Sequence, residues 1–405
     1  MYYAISALFF LHNANYRRLG SMEKNLRELF CEAEAAKEEM METWKFLVNR
    51  DCGSGNKAGV DQVGRDIKAV LEPLGFKVRF HEYEKVGNML VAEYGDMSKP
   101  FIVLTGHMDT VFADGTAAKR PFTVVNGRVT GPGCLDMKGG VTILLYAVKF
   151  LTGAGYDRYP LKIILAGDEE VGHNQSNAGN DYLAEAKGAV MGFNLETGFM
   201  DNGIVVERKG CCRFEWDFQG VGAHAGNNPE DGRSAVQEMC HKAIDMEGLT
   251  DFEEGTTVNV GVISGGTVAN AVPEHAHCIV DVRFRSEKGL NRIIDSFKKI
   301  ASRQYIPDTK TTCRLTTRIE AMERLDSSLE LFNRANDIAV KNGLPEMKAI
   351  AVGGGSDSAY LTKAGIPTLC ALGVRGQFNH TEREWAVEDS LIEREKLLLA
   401  LLMKL

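Results

Sequence analysis

No stretch of this 405-residue chain approaches the roughly 18 consecutive apolar residues of a membrane-spanning helix, so no membrane span is expected. No basic run of the kind that tracks a phosphate backbone is present either. The net charge is −8, from 47 basic and 55 acidic residues with both signs interspersed, which argues against nucleic acid and acidic membranes as partners. None of the nine cysteines forms a Cys-x-x-Cys pair, and Cys211 and Cys212 are adjacent, which suits no disulfide framework. A reduced, cytoplasmic compartment is expected. Internal repeats, low-complexity segments and a Walker-type lysine loop are also missing. Gly131-Pro132-Gly133 is not a dinucleotide fingerprint, because Asp136 stands where the third glycine belongs. The run from Gly354 to Ser358 is not a nucleophile elbow, because Ser358 replaces the closing glycine.

The length suggests two domains. The start, Ala4 to Leu11, is apolar but lacks a basic leader and a small-residue cleavage site. Residues 1–21 read as a disordered extension, with Met22 as the natural start. Residues 23–49 read as one amphipathic helix, and Asp61 to Leu74 as a second, ended by Gly75. Apolar runs at Phe101–Leu104 and Lys162–Ala166 flank a helix-like stretch from Gly140 to Leu151. Buried strand, helix, buried strand signals an α/β domain with a mostly parallel sheet covered by helices. The middle changes character. Phe214–Phe218 and Cys278–Phe284 alternate with period two, and Ser234–Glu247 and Lys288–Arg303 are helix-like. That pattern predicts an inserted α+β domain at 210–318, splitting a catalytic domain of residues 22–209 and 319–405.

Five side chains sit in short motifs, each following an apolar run or a glycine turn: His107, Asp136, Glu170, Glu196 and His380. Two histidines, two glutamates and one aspartate suit two divalent cations with one carboxylate shared. The nitrogen and oxygen donors fit Zn²⁺, Co²⁺ or Mn²⁺ and do not choose among them. Asp136 lies between Gly131-Pro132-Gly133 and Gly139-Gly140, so it suits a bridging position; the bland reading is a helix cap. Asp109, two residues beyond His107 on an extended segment, is placed to orient the imidazole. Glu169 and Glu170 are consecutive, so their side chains diverge. Glu170 is assigned as a ligand and Glu169 as the base that takes a proton from water. The run Gly353-Gly354-Gly355-Ser356-Asp357 precedes a helix. Either the backbone there, with Gly355 and Ser356, forms a cradle for a substrate oxyanion or carboxylate, or Ser356 or Asp357 simply caps the helix. His275 and His277 alternate on a strand and read as a polar face, and Cys211 and Cys212 as core.

The segments TGHMDTV, GPGCLDMKGG, AGDEEVG, NLETG, GVGAHAGNNPEDGRSA, NAVPEHAHCIVDVRF and GGGSDSAY resemble the M20 family of metallopeptidases and deacylases, from about residue 25 to the C-terminus. The resemblance implies a catalytic domain with two zinc ions and an inserted lid that also dimerises. It implies His107 and Glu196 on one ion, Glu170 and His380 on the other, and Asp136 shared. His224 would reach a partner subunit's site and stabilise the tetrahedral oxyanion. Asn270, Arg283 and Arg208 fall on positions that hold a substrate carboxylate in relatives. The motifs look most like the glutamate-carboxypeptidase group. Arg318 departs from that group's pattern, so no specificity role is carried onto it. The expected activity is cleavage of an amide in a small peptide or N-acyl amino acid bearing a free carboxylate. A desuccinylase, acetylornithine deacetylase or aminoacylase is the alternative, and a non-catalytic binding protein a distant one.

Overall fold

The computed structural model describes Phe9 and residues 25–405; apart from Phe9, the extension expected at 1–21, and Met22 as a start, lie outside the described residues. The chain divides into two compact units. One comprises residues up to Val206 with Arg324–Ala351 and Ser356–Leu405; the other comprises Glu207–Glu323 with Val352–Gly355.

The first unit opens with helices α1 (Leu26–Ala35), α2 (Lys37–Val48) and α3 (Lys57–Leu71). The single helix expected over 23–49 is thus broken at Ala36, and nothing in the local side chains marks the break. Asn25 caps α1 by accepting from the Arg27 and Glu28 amides, and Glu28 returns the bond to the Asn25 amide. The second helix starts earlier than expected, because Asn56 caps it through the Gly59 amide. Gly75, at φ 95°, ends it after a last tight turn.

Strands β1 (Lys77–His81), β2 (Gly87–Tyr94), β3 (Phe101–His107), β4 (Leu161–Gly167) and β5 (Ala189–Asn194) then build a sheet with the short strand Thr368–Leu369. The order is β1-β2-β4-β3-β5 and then Thr368–Leu369. The sheet is mixed. The pairs β4/β3, β3/β5 and β5 with Thr368–Leu369 run parallel, while β1/β2 and β2/β4 are antiparallel. Between β3 and β4 lies helix α4 (Gly139–Gly153), and between β4 and β5 lies α5 (Ala178–Ala186). Alternate residues explain the unbroken apolar runs. Ile102, Leu104, Ile163 and Leu165 join the core on one face, with α4; Val103, Ile164 and Ala166 join the core on the other, with Ala178 and Tyr182 of α5.

At the β1 edge, Glu185 of α5 gathers Arg79 (2.6 Å), His81 (2.9 Å) and Lys162 (3.0 Å). Burial alone would raise its pKa, but these three partners hold it at about 2. A depressed carboxylate stabilises the fold above its unfolded pKa and loses that contribution as pH falls through the folded value. Glu185→Gln is therefore expected to lower stability by about 1–3 kcal/mol at pH 7. The gap should close between about pH 4.5 and 2. Thermal unfolding of both proteins across that range checks this, and a pH-independent gap would refute it.

The second unit is an antiparallel sheet with helices. Its elements are β6 (Gly210–Gln219), α6 (Ala235–Glu247), β7 (Thr257–Gly265), β8 (His275–Phe284), α7 (Glu287–Ser302) and β9 (Lys310–Ile319), with sheet order β7-β8-β6-β9. Phe214, Trp216, Val280, Val282 and Phe284 form its core with Phe297 of α7. Strand β9 is dominated by threonine, lysine and arginine, so alternation did not locate it. Its Arg318 is engaged by Glu287 and Glu320. Cys212 lies in this core, Cys211 is buried beside it, and all nine cysteines are free thiols. Among the described residues no helix is long and apolar enough to cross a membrane.

Candidate active site

Three neighbouring parallel strands end at one place. His107 is the last residue of β3, Glu169 and Glu170 follow β4, and Glu196 follows β5. Ligand sites of α/β sheets form at such carboxyl ends. Asp136 arrives on the turn before α4. That turn requires Gly133, at φ 70°, and the first turn of α4 requires Gly140, where a Cβ would collide with the Leu195 carbonyl oxygen.

His107 Nε2 lies 3.2 Å from Asp136 Oδ1 and 3.4 Å from Glu196 Oε1. His380 Nε2 lies 3.1 Å from Asp136 Oδ2 and 3.0 Å from Glu170 Oε2. Asp136 thus presents a different oxygen to each histidine. A Glu169 oxygen also lies within 4.8 Å of ligand atoms of His107 and Glu196, so distance alone suits it to a ligand's place as well as a base's. His107, Asp136 and Glu196 are buried; His380 is the exposed member.

The donor set fits divalent cations. Two bonds of about 2.0–2.1 Å at a tetrahedral angle hold their atoms about 3.3 Å apart, and the four separations here span 3.0–3.4 Å. Glu170 Oε1 is buried without a hydrogen-bond partner. Four carboxylates converge with two imidazoles, a set whose negative charge must be balanced by protons or by bound cations.

Burial opposes charge on His107, but hydrogen bonds to Asp109, Asp136 and Glu196 hold its pKa well above the usual imidazole value. Hydrogen bonds to Asp136 and Glu170 push His380 up to about 11. Burial raises Glu169 well above the carboxylate range and Glu170 to about 7.

A second layer of residues holds this set in place. The Asp109 carboxylate accepts from Ser54 Oγ (2.7 Å) and from the amides of Glu169 and Glu170 (3.2 Å each). Its backbone carbonyl oxygen, at 3.0 Å, is nearer to His107 Nδ1 than its carboxylate, at 3.4 Å. The carboxylate expected behind His107 therefore also organises the Glu169–Glu170 turn. Asn379 Nδ2 donates to Asp136 Oδ2 at 3.0 Å. Glu384, fully buried, accepts from the amides of Gly133, Leu135 and Asp136 at 2.9–3.0 Å. Sequence reasoning missed Ser54 and Glu384. The segment Thr381-Glu382-Arg383-Glu384 reads as a solvated charged loop, and only its nearness to His380 hinted otherwise.

The remaining candidates lie elsewhere. In the second unit, His224 Nδ1 accepts from the Gly226 and Asn227 amides at 3.1 Å each, which leaves the proton on Nε2. His224 and Asn270 line a cavity of about 1130 Å³ that also includes His275 and His277. Arg283 is bonded through Nε and Nη2 to Asp281. Arg208 is buried and donates to the carbonyls of Gly354 and Gly355 at 3.2 Å. A Cβ on Gly355 would meet Ile319 at 2.5 Å, so this position needs glycine. Ser356, in the first unit, is buried with its hydroxyl 2.5 Å from that of Ser358. That hydroxyl also accepts from the Ser358 amide at 3.3 Å.

The family model for "Peptidase family M20/M25/M40" matches residues 103–404. The chain belongs to this family. As an M20 metallopeptidase it is similar to carboxypeptidase G2 of Pseudomonas sp. (strain RS-16), with 27% identity over 386 residues, 94% of this chain and 92% of that protein. Its fold is that of M20 structures. Aminopeptidase PepT from Bacillus cereus ATCC 10987 superposes with a TM-score of 0.73 at 22% identity, covering 90% of this chain and 98% of that one. The Bacillus subtilis YXEP protein, a dinuclear metal binding peptidase from the M20 family, gives a TM-score of 0.65 at 15% identity, covering 92% and 99%. This M20 enzyme is therefore a metal-dependent hydrolase of the peptidase and amidohydrolase type.

Proposed function

We propose that the protein is a two-metal amidohydrolase that cleaves the amide of a small peptide or N-acyl amino acid carrying a free carboxylate. The observation that carries this reading is the division of Asp136, one oxygen toward His107 and the other toward His380. His107 and Glu196 would hold one ion, Glu170 and His380 the other, with Asp136 shared; zinc suits this donor set, as do cobalt and manganese. When bound, such a pair polarises the scissile carbonyl and lowers the pKa of water. Glu169 takes the proton of the attacking water and delivers it to the leaving amine. His224, with its proton on Nε2, donates to the oxyanion of the tetrahedral intermediate. Asn270 and Arg283 are the candidates for the substrate carboxylate, Arg283 sharing its charge with Asp281.

Metal-stripped protein should lose at least about a thousandfold in rate on C-terminal-glutamate dipeptides, acetyl-amino acids and succinyl-amino acids. Added Zn²⁺, Co²⁺ or Mn²⁺ should restore it, and the preferred substrate would identify the acyl and leaving groups. Undiminished turnover after stripping would end the proposal.

The active form in this reading is a homodimer joined through the second unit. Strand β7 is a sheet edge carrying exposed Val262 and Ile263, and α6, which packs on it, exposes Ile244. An exposed apolar edge is a template for pairing. Ile263→Asp combined with Ile244→Asp should give a monomer by light scattering. Mixing inactive Glu169→Gln and His224→Ala proteins should restore activity, because one of the two composite sites then holds both native residues. Absence of any rescue in a mixed dimer would place His224 outside the partner's site.

A further inference from the structure

His173 belongs to none of the motifs above and is the least expected residue of its turn. Its backbone is left-handed, at φ 56°, a conformation that disfavours a bulky side chain. The position directly follows Gly172, also left-handed at φ 68°. The imidazole is nonetheless held from both ends. Nδ1 lies 2.7 Å from Asp168 Oδ1, and Nε2 lies 2.7 Å from Asp357 Oδ1. All three residues are buried, with Asp168 0%, Asp357 3% and His173 8% exposed. Each ring nitrogen thus lies at hydrogen-bond distance from a carboxylate oxygen of a different aspartate, so the ring bridges two segments far apart in the chain. The aromatic side chains of Tyr182 and Tyr360 also lie near the ring, with centroids 6.2 and 5.6 Å away.

The chemistry of the neighbouring turn gives this arrangement its meaning. Asp168 directly precedes Glu169 and Glu170. Its second oxygen accepts from Ser176 Oγ at 2.6 Å, so its carboxylate is turned wholly toward the His173 side. The turn is closed on itself by the Gly172 amide to the Glu169 carbonyl (2.7 Å) and the His173 amide to the Asp168 carbonyl (3.2 Å). Asp109 holds the same turn through the Glu169 and Glu170 amides. The segment bearing the Glu169 and Glu170 carboxylates is thus gripped from two sides, by Asp109 and by the Asp168–His173–Asp357 bridge.

We propose that His173 is a positioning residue, a ring clamped between Asp168 and Asp357 that fixes the turn carrying Glu169 and Glu170. The proposal rests on the reading of Glu169 as base and Glu170 as ligand. Removing the clamp lets the turn drift, and a misplacement of about 1 Å at a reacting group can lower a rate about a hundredfold.

The test uses the full chain with His173→Gln, Asp357→Asn and the double variant. Each single variant should lower kcat about 30- to 100-fold with KM within about threefold, and the double should be no worse than either single, because the clamp acts as one unit. Calorimetric titration of stripped protein with Zn²⁺ should show one of the two binding events weakened about tenfold in His173→Gln. The Asp357→Asn variant, which keeps the size of that side chain and lies outside the turn, should show the same loss of kcat. Normal kcat in a folded Asp357→Asn protein overturns the proposal even if His173→Gln fails to fold. Unchanged kcat and zinc affinity in a folded His173→Gln protein also overturn it. A Glu169→Gln control separates the two readings: full activity there removes the base assignment, whereas its inactivity beside a normal His173→Gln enzyme removes only the clamp.

Discussion

Glu169→Gln should lower kcat by about 10²–10⁴ while the protein still binds two cations per chain. Glutamine keeps the shape of the side chain and removes its ability to take a proton. The carboxylate is held beside the ligand set by the bonds from the Glu169 and Glu170 amides to Asp109, and these involve backbone, which the substitution leaves intact. KM should change little, because the lost interaction belongs to the transition state. Metal analysis decides between the two roles that distance permits. A variant that retains one ion in place of two would show Glu169 to be a ligand with His107 and Glu196, a grouping the geometry also contains. A variant with full activity would remove it from the mechanism.

Asp136→Ala should be still more damaging, because one substitution removes a donor from both cation positions. His107 and His380 would each lose one of their carboxylate partners, at 3.2 and 3.1 Å. Zinc stoichiometry should fall below one per chain at micromolar metal, and hydrolysis should fall by more than about 10⁴. A milder companion isolates the support from the ligand. Glu384→Gln leaves Asp136 in place but gives its loop a neutral acceptor where three amides now converge. Burial has already pushed Glu384 up to about 7, so the neutral substitute is tolerated at moderate cost. A loss of about tenfold in metal affinity is expected, the low end of what supporting residues of metal sites contribute. If Asp136→Ala retained two ions, the shared-ligand reading would be wrong; if Glu384→Gln matched Asp136→Ala, the loop rather than the carboxylate would be limiting.

The site was legible in the sequence where chemistry and strand ends coincide. His107, Glu169, Glu170 and Glu196 each follow an apolar run, and a run buried on both faces can only be an interior strand, with its polar end at the rim of the sheet. Asp136 was legible because glycines flank it, and His380 through its surroundings. Ser54, His173 and Glu384 were not legible. Each is an ordinary polar residue in a polar segment, and its role depends on a partner distant in sequence: Asp109 for Ser54, Asp357 for His173, and the Gly133–Asp136 amides for Glu384. The same limit applies to Arg283, which the structure shows engaged with Asp281.

By itself, then, the sequence determined the element types, the carboxyl-end placement of the chemistry and the membership of the M20 family, because these depend on local periodicity and on short motifs. Only the tertiary structure decided which oxygen of Asp136 faces which histidine, that Glu384 is buried, that the sheet is mixed, and that His173 joins two aspartates 189 positions apart in the chain (357 − 168 = 189). Those facts arise from side chains meeting across the fold, where burial turns a weak polar preference into an obligatory pairing.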